Sequence, residues 1–137
     1  NGGSSAELNS QLYPKAAGLY NGNYIIVWAS DENNDGIFTI QGRIIDSDGN
    51  FVSGKFQISS SIATTARNYP YVIGLPANDS SVPGGFVCAY MAKVDTSADS
   101  RYTISMRVFN SNGTKKEGGC KGTINMQQKF FKFGKKI

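Results

Sequence analysis

The sequence predicts an all-β chain made of two tandem four-stranded antiparallel repeats, each resembling a propeller blade. The first observation is an internal repeat, because residues 38–50 return in register as residues 102–114, 64 positions later. The second is that each copy alternates apolar and polar residues and then enters a turn, at Asp48-Gly49 and Asn112-Gly113. The third is a content of 16 glycines and 12% aromatic residues, usual in β proteins with many turns. A two-sheet β-sandwich built from the same strands is the alternative.

Each repeat begins at a Tyr-Pro pair, Tyr13-Pro14 and Tyr69-Pro70, 56 residues apart. Proline fixes φ and cannot donate to a ladder, so it suits the start of a strand. These landmarks divide the chain into an N-terminal arm, two repeats and a basic, aromatic tail. The predicted bounds are 1–12 for the arm, 13–68 and 69–125 for the repeats, and 126–137 for the tail.

The next strand of each repeat is a compact apolar run, residues 24–28 and 86–90, now 62 positions apart. The offset between the two repeats grows from 56 to 62 residues between these landmarks. This change places a six-residue insertion within 76–83, where a surface loop tolerates it. Trp28 and Tyr90 occupy equivalent positions and alternate with core residues, so we expect both to be buried. The alternative is that their rings form platforms on which sugars stack.

The third strand of each repeat has strict period two, which predicts a sheet with one buried face. Ile40 and Ile44 point one way, and Thr39, Gln41 and Arg43 the other. A fourth strand is expected around residues 55–58. Its counterpart after Gly118 is degraded, since Cys120 replaces Phe56.

The order of motifs in the first repeat resembles a known kind of protein. Pro14, Gly18-Leu19 and the run ending in Trp28 are followed by an Asp/Asn/Gly loop, then Asp46-Ser-Asp-Gly and Gly54-Lys-Phe-Gln-Ile. This order resembles the repeats, roughly 50 residues long, of very large secreted surface proteins and adhesins, which often adjoin calcium-binding repeats. Residues 13–68 carry the resemblance, and residues 69–114 depart from it with Tyr90 in place of Trp28. It implies an extracellular, non-catalytic repeat used for adhesion, surface coating or assembly.

The loop after the second strand matches the start of a calcium loop, with Asp31, Asn33 and Asp35 as alternating oxygen ligands before Gly36. The twelfth position is Gly42 instead of the bidentate glutamate that such loops carry. The alternative is a polar hairpin loop rich in turn-forming residues. Calcium is therefore the one candidate cofactor, and otherwise none is expected.

Two kinds of covalent modification are predicted for a secreted protein. Asn78 and Asn112 each begin an acceptor sequon for glycosylation, one within the insertion and one on a turn. Asn112-Gly113 also fits a plain hairpin turn. Cys88 and Cys120 are the two cysteines, and a disulfide between them would close a loop of about 30 residues and contribute ~3 kcal/mol. Two buried thiols are the alternative.

The net charge of +4 belongs mainly to the tail, because seven of the 14 Lys and Arg residues lie at or beyond Lys115. No basic stripe runs elsewhere, so nucleic acid is not an expected partner. We expect Phe130, Phe131 and Phe133 to dock on a neighbouring copy by adding a strand to its open edge. No apolar run reaches the roughly 18–20 residues that a membrane span needs.

The chain contains no histidine, which removes the commonest general base, and its acids lie in turns, so no enzyme activity is expected. The sequence thus predicts a secreted or cell-surface structural or adhesive subunit that self-associates, into filaments or a surface layer, through its arm or tail. The alternative is a lectin-like carbohydrate-binding module assembled from two-blade chains. The expected partners are copies of the same chain and, in the alternative, glycans.

Overall fold

The computed structural model describes residues 10–59, 67–79, 82–93, 102–116 and 124–125. Within these ranges the chain is all-β, as predicted, and contains two four-stranded antiparallel sheets. The first sheet consists of β1 (Gln11–Gly18), β2 (Tyr24–Ser30), β3 (Thr39–Ile45) and β4 (Phe56–Gln57). The second consists of β5 (Arg67–Gly74), β6 (Phe86–Lys93), β7 (Tyr102–Phe109) and β8 (Ile124–Asn125). Among the described residues, no helix has the length and apolar character needed to cross a membrane.

Each sheet is a meander in which consecutive strands are neighbours, in the orders β1-β2-β3-β4 and β5-β6-β7-β8. This is the strand order of a propeller blade. The two sheets stack with a hydrophobic core between them, so their arrangement is also sandwich-like. Strand β1 begins at Gln11, two residues before the predicted start of the first repeat.

The repeat in the sequence is a repeat in the structure. A β-bulge interrupts the first strand of each sheet at the Tyr-Pro pair, between Leu12 and Lys15 and between Asn68 and Tyr71. The turn after the third strand also recurs, since its glycines have positive φ, 84° at Gly49 and 87° at Gly113. Only glycine adopts this conformation without a steric cost, which explains why the turn keeps it in both copies.

The first strands of the two sheets run side by side in the same direction. The ring of Tyr13 on β1 contacts that of Tyr69 on β5 in a tilted arrangement, with centroids 4.5 Å apart and 36° between the planes. Further along, a Cβ added to Gly74 would lie 2.2 Å from the carbonyl oxygen of Gly18. The backbones therefore approach so closely at this point that Gly74 has no room for a side chain.

The core is formed by apolar side chains from both sheets. Phe86 and Phe109 of the second sheet stack with centroids 5.0 Å apart, and Phe56 of β4 contacts both rings at 6.5 and 6.0 Å. The aliphatic part of the core comes mainly from β2 and β3, with Ile25, Val27, Ala29, Ile40 and Ile44. Burial of this surface is the main term that holds the sheets together.

The two sheets bury opposite faces, a feature that the period-two pattern did not predict. Strand β2 turns Ile25, Val27 and Ala29 into the core, whereas β6 turns in Phe86, Cys88 and Tyr90. At the offset of 62, the counterparts of these β6 residues are Tyr24, Ile26 and Trp28, which alternate with the buried residues of β2. The repeats are therefore stacked head to tail, each presenting a different face to the interface.

Candidate functional site

Among the described residues, the head-to-tail stack leaves one face of each sheet open. On the first sheet, we call the open surface the Trp28 face and define it by Tyr24, Ile26, Trp28 and Arg43. Alternation places the three β2 residues opposite the core, and Arg43 pairs with Ile26 across the ladder. Tyr24 is 45% exposed, and Trp28 is half-buried.

The Trp28 face contains an open depression of about 380 Å³, lined by Gln11, Pro14, Ile26, Trp28, Arg43 and Lys55. Its floor is apolar, and its polar groups are an arginine, a lysine and an amide. The guanidinium of Arg43 lies 4.2 Å from the centroid of the Phe51 ring, and Lys55 forms an ion pair with Glu32. The Nε atom of Arg43 is buried and has no hydrogen-bond partner among the described residues.

On the second sheet, we call the open surface the Ile73 face and define it by six residues of β5, β6 and β7. They are Tyr71, Ile73, Val87, Ala89, Met91 and Met106. Tyr71 is 64% and Ile73 50% exposed, and the β6 members are half-buried. A contiguous apolar stripe on a surface makes this face a candidate site of interaction.

The structure separates the two aromatic residues that were candidates for sugar stacking. Trp28 lies on the Trp28 face, where a ligand in the depression reaches it. Tyr90 is only 3% exposed and packs within the core between the sheets. Because a sugar cannot reach a ring in the core, the sugar-stacking hypothesis now rests on Trp28 alone.

The candidate calcium loop is held by its own hydrogen bonds. The two carboxylate oxygens of Asp31 accept the backbone N–H groups of Asp35 and Gly36, at 3.1 and 3.0 Å. Asp35 in turn accepts the N–H of Ile37 at 2.8 Å. Within the described residues no three acidic, histidine or cysteine side chains gather into a group that could hold a metal ion. Hydrogen bonds of this kind fit the alternative interpretation of the loop, a polar turn stabilised by aspartate side chains.

Both predicted glycosylation sites are exposed. Asn78 lies in a turn between β5 and β6, and Asn112 lies in the turn after β7. The side-chain oxygen of Asn112 accepts hydrogen bonds from the backbone N–H and the hydroxyl of Thr114, at 3.0 and 2.7 Å. These two bonds stabilise the hairpin turn. They use the side-chain oxygen of Asn112 and do not involve its amide nitrogen, the atom that glycosylation would modify.

Cys88 lies in the core and has no disulfide partner among the described residues, and burial raises its pKa to about 12. Its predicted partner Cys120 lies outside the described residues, so the disulfide stays a prediction. The tail residues Phe130, Phe131 and Phe133 and the arm at 1–9 also lie outside the described residues. Docking through the arm or tail therefore also stays a prediction.

Reasoning from the sequence missed the two open faces, although a signal for them was present. Aligning the repeats at their offsets shows that both alternating sets of β2 and β6 are apolar, which is unusual for a sheet with one side in water. Comparisons with protein families, with curated proteins and with solved structures find no match to this chain. The fold and its two open faces are thus the basis for a functional hypothesis.

Proposed function

We propose that this chain is an extracellular structural or adhesive repeat subunit that works by self-association, into filaments or a surface layer. The observation that carries the proposal is the Ile73 face, an apolar surface that includes Tyr71 and Ile73, both at least half exposed. Leaving such a surface in water is unfavourable by about 25 cal/mol per Å², so a partner that covers it gains free energy.

Further features support a structural and not a catalytic role. The acids Asp31 and Asp46 accept backbone N–H groups and stabilise turns, and the sequence has no histidine. Extracellular location is supported by the two exposed sequons at Asn78 and Asn112. The resemblance of residues 13–68 to repeats of secreted surface proteins points the same way.

Sedimentation velocity on the untagged chain, over a hundredfold range of concentration, tests the proposal. We expect species larger than the 14.8 kDa chain, growing with concentration, and filaments or sheets by electron microscopy. A chain that stays monomeric throughout the range would overturn self-association. Deletion of 126–137 separates the routes, because an unchanged oligomer size would show that the tail is not the joint.

The depression on the Trp28 face favours a second candidate, a lectin-like carbohydrate-binding module. An indole ring beside the polar groups of Gln11, Arg43 and Lys55 is suited to stack on a sugar ring and to hydrogen-bond its hydroxyls. Trp28 is the only tryptophan, so its fluorescence reports the site directly. Titration with a panel of mono- and disaccharides should quench or shift this emission if the candidate is right. Trp28→Ala should abolish retention on a glycan array, whereas Tyr20→Ala, which removes a 72% exposed ring that does not line the depression, should preserve it. Unchanged retention by the Trp28 variant would rule the candidate out.

A further inference from the structure

We propose that a second copy of this chain docks its Trp28 face on the Ile73 face of the first. The contact would repeat between chains the head-to-tail packing that joins the two sheets within one chain. This inference rests on the proposed function, self-association, and specifies which surfaces meet and in which order.

The Ile73 face repeats the surface with which the first sheet covers the core. At the offset of 62, Val87, Ala89 and Met91 are the counterparts of three buried residues of β2. In the third strand, at the offset of 64, Met106 is the counterpart of Gly42, which is also buried. The β2 counterparts are Ile25, Val27 and Ala29, all with no exposed surface. The open surface of the second sheet therefore repeats the β2 part of a surface that already packs against one repeat. It differs at Met106, since a Cβ added to Gly42 would lie 2.8 Å from the Ile58 side chain.

The Trp28 face repeats the surface that the second sheet presents in return. Tyr24, Ile26 and Trp28 are the counterparts of residues of β6 that lie in the core. These counterparts are Phe86, Cys88 and Tyr90. From the first strand, Pro14 corresponds to Pro70, which is fully buried. Each open face therefore matches one side of the existing interface, and the two are complementary to each other and not to themselves.

Gly18 provides an independent reason to place a partner on the Trp28 face. Among the described residues, a Cβ added to Gly18 would meet only the Tyr24 ring, at an ordinary contact of 3.9 Å. Its φ is not positive, so nothing in the described part of the chain requires glycine here. Its counterpart Gly74 is glycine because a Cβ there would lie 2.2 Å from the carbonyl oxygen of Gly18. In the docked pair, Gly18 of the second copy takes the place of Gly74 and meets the carbonyl of Gly74 in the first.

The unpaired Nε of Arg43 fits the same arrangement. A buried donor without an acceptor costs free energy, and this one lies on the Trp28 face. A chain docked over this face brings backbone and side-chain oxygens, which pair with this atom if the Arg43 side chain turns toward them. The contact is heterologous, so each chain keeps one free face after the first docking step, and the product is a ring or an open filament.

Two variants, each blocked on one face, test the order of the contact. Tyr24→Glu places a charge on the Trp28 face, at a position whose counterpart, Phe86, is fully buried. Ile73→Glu places a charge on the Ile73 face. We expect each variant alone to lose association by about 100-fold or more, because docking would bury an unpaired carboxylate. Mixed together, they should form a 1:1 pair and nothing larger, since one complementary pair of faces remains intact. Val52→Glu is the control, because its counterpart is the exposed Lys116, and it should assemble like the unmodified chain.

Gly18→Ala tests the contact with the addition of one methyl group. We expect unchanged unfolding in urea and about tenfold weaker association, because the methyl group meets the Gly74 carbonyl only in the docked pair. Gly54→Ala is the control, since a Cβ at that position meets no atom within 4 Å. The emission of Trp28 supplies a second readout, because docking should shift it to shorter wavelength as the concentration rises.

The outcomes separate this inference from the proposed function. An unmodified chain that stays monomeric at all concentrations overturns both. A chain that assembles equally well with either face blocked overturns the docking mode alone. Ile73→Glu that forms dimers by itself would reveal a symmetric contact between two Trp28 faces, which also overturns the inference. Assembly that begins only after deletion of 126–137 would also overturn the inference for the unmodified chain, because its own tail would then be the occupant of the Ile73 face.

Discussion

The phenol rings of Tyr13 and Tyr69 are in tilted contact with centroids 4.5 Å apart, and both residues have a left-handed backbone, with φ of 55° and 53°. For a bulky side chain this conformation is strained. Each tyrosine precedes a proline and lies in the bulge of the first strand of its sheet. Two equivalent strained residues therefore meet where the repeats are joined.

The first prediction concerns the ionisation of this pair. The pKa of Tyr69 is raised above its ordinary value of 10.0. The largest cause is a side-chain hydrogen bond with Tyr13, and the second is repulsion from the charge of ionised Tyr13. A pKa raised in the folded state stabilises the fold below the unfolded pKa and loses that contribution as the pH rises through the folded value. We therefore expect stability to decline above about pH 10, and the decline to be smaller in Tyr13→Phe.

Ultraviolet titration of the phenols checks this prediction. The unmodified chain should show one tyrosine that ionises above the others, and Tyr13→Phe should return it to the ordinary range. Tyr20→Phe is the control, because Tyr20 is 72% exposed and should leave the late step in place. A late step that persists in the Tyr13 variant would show that another residue causes it.

The second prediction is that equivalent residues have unequal effects on stability. Phe86 is fully buried, and Phe86→Ala should cost about 3–5 kcal/mol, the usual range for a large aromatic residue removed from a core. Its counterpart Tyr24 is 45% exposed, and Tyr24→Ala should cost less than about 1 kcal/mol. Urea unfolding of monomeric protein measures both, and equal losses would contradict the opposite use of the two faces.

The third prediction concerns the close approach of β1 and β5. Gly74→Ala should destabilise the chain by about 1–3 kcal/mol, because its Cβ would lie 2.2 Å from a backbone oxygen that cannot move aside freely. Gly54→Ala is again the matched control and should be neutral. The comparison is read from urea midpoints, and a neutral Gly74 variant would mean that the sheets separate at little cost.

The fourth prediction concerns the buried thiol. Because burial raises the pKa of Cys88 to about 12, almost no thiolate exists at neutral pH, and iodoacetamide should not label Cys88 in the folded chain. Denaturant alone should make it reactive, as expected of a free thiol. The site of labelling is read by peptide mass spectrometry without reductant. A requirement for reductant as well would instead establish the disulfide with Cys120.

The sequence was sufficient to predict the strands and turns because their signals are local. Alternation in residues 38–45 and glycine in the turns at Gly49 and Gly113 are determined within a few residues of chain. The choice of buried face is not local. Ile25 and Ile26 are equally apolar, so the pattern of β2 does not say which set meets the other sheet.

The candidate site was harder to predict for the same reason. Trp28 and Tyr90 are equivalent in the sequence, yet one is on an open face and the other is in the core. Their environments differ because the first sheet packs against the face of β6 that carries Tyr90, whereas the second sheet packs against the face of β2 opposite Trp28. The strained backbone of Tyr13 was also not predictable, since a tyrosine-proline pair ordinarily favours an extended chain, and the stacking between sheets decides otherwise.

The unequal use of the two faces gives the molecule polarity. One end carries the Trp28 face and the other carries the Ile73 face, so the stack cannot be reversed without changing the surfaces it offers. A third repeat appended at either end by gene duplication would meet a surface related to one that already packs against a repeat. If chains associate through these faces as proposed, substitutions at the two ends are coupled, because each end then forms half of the same interface.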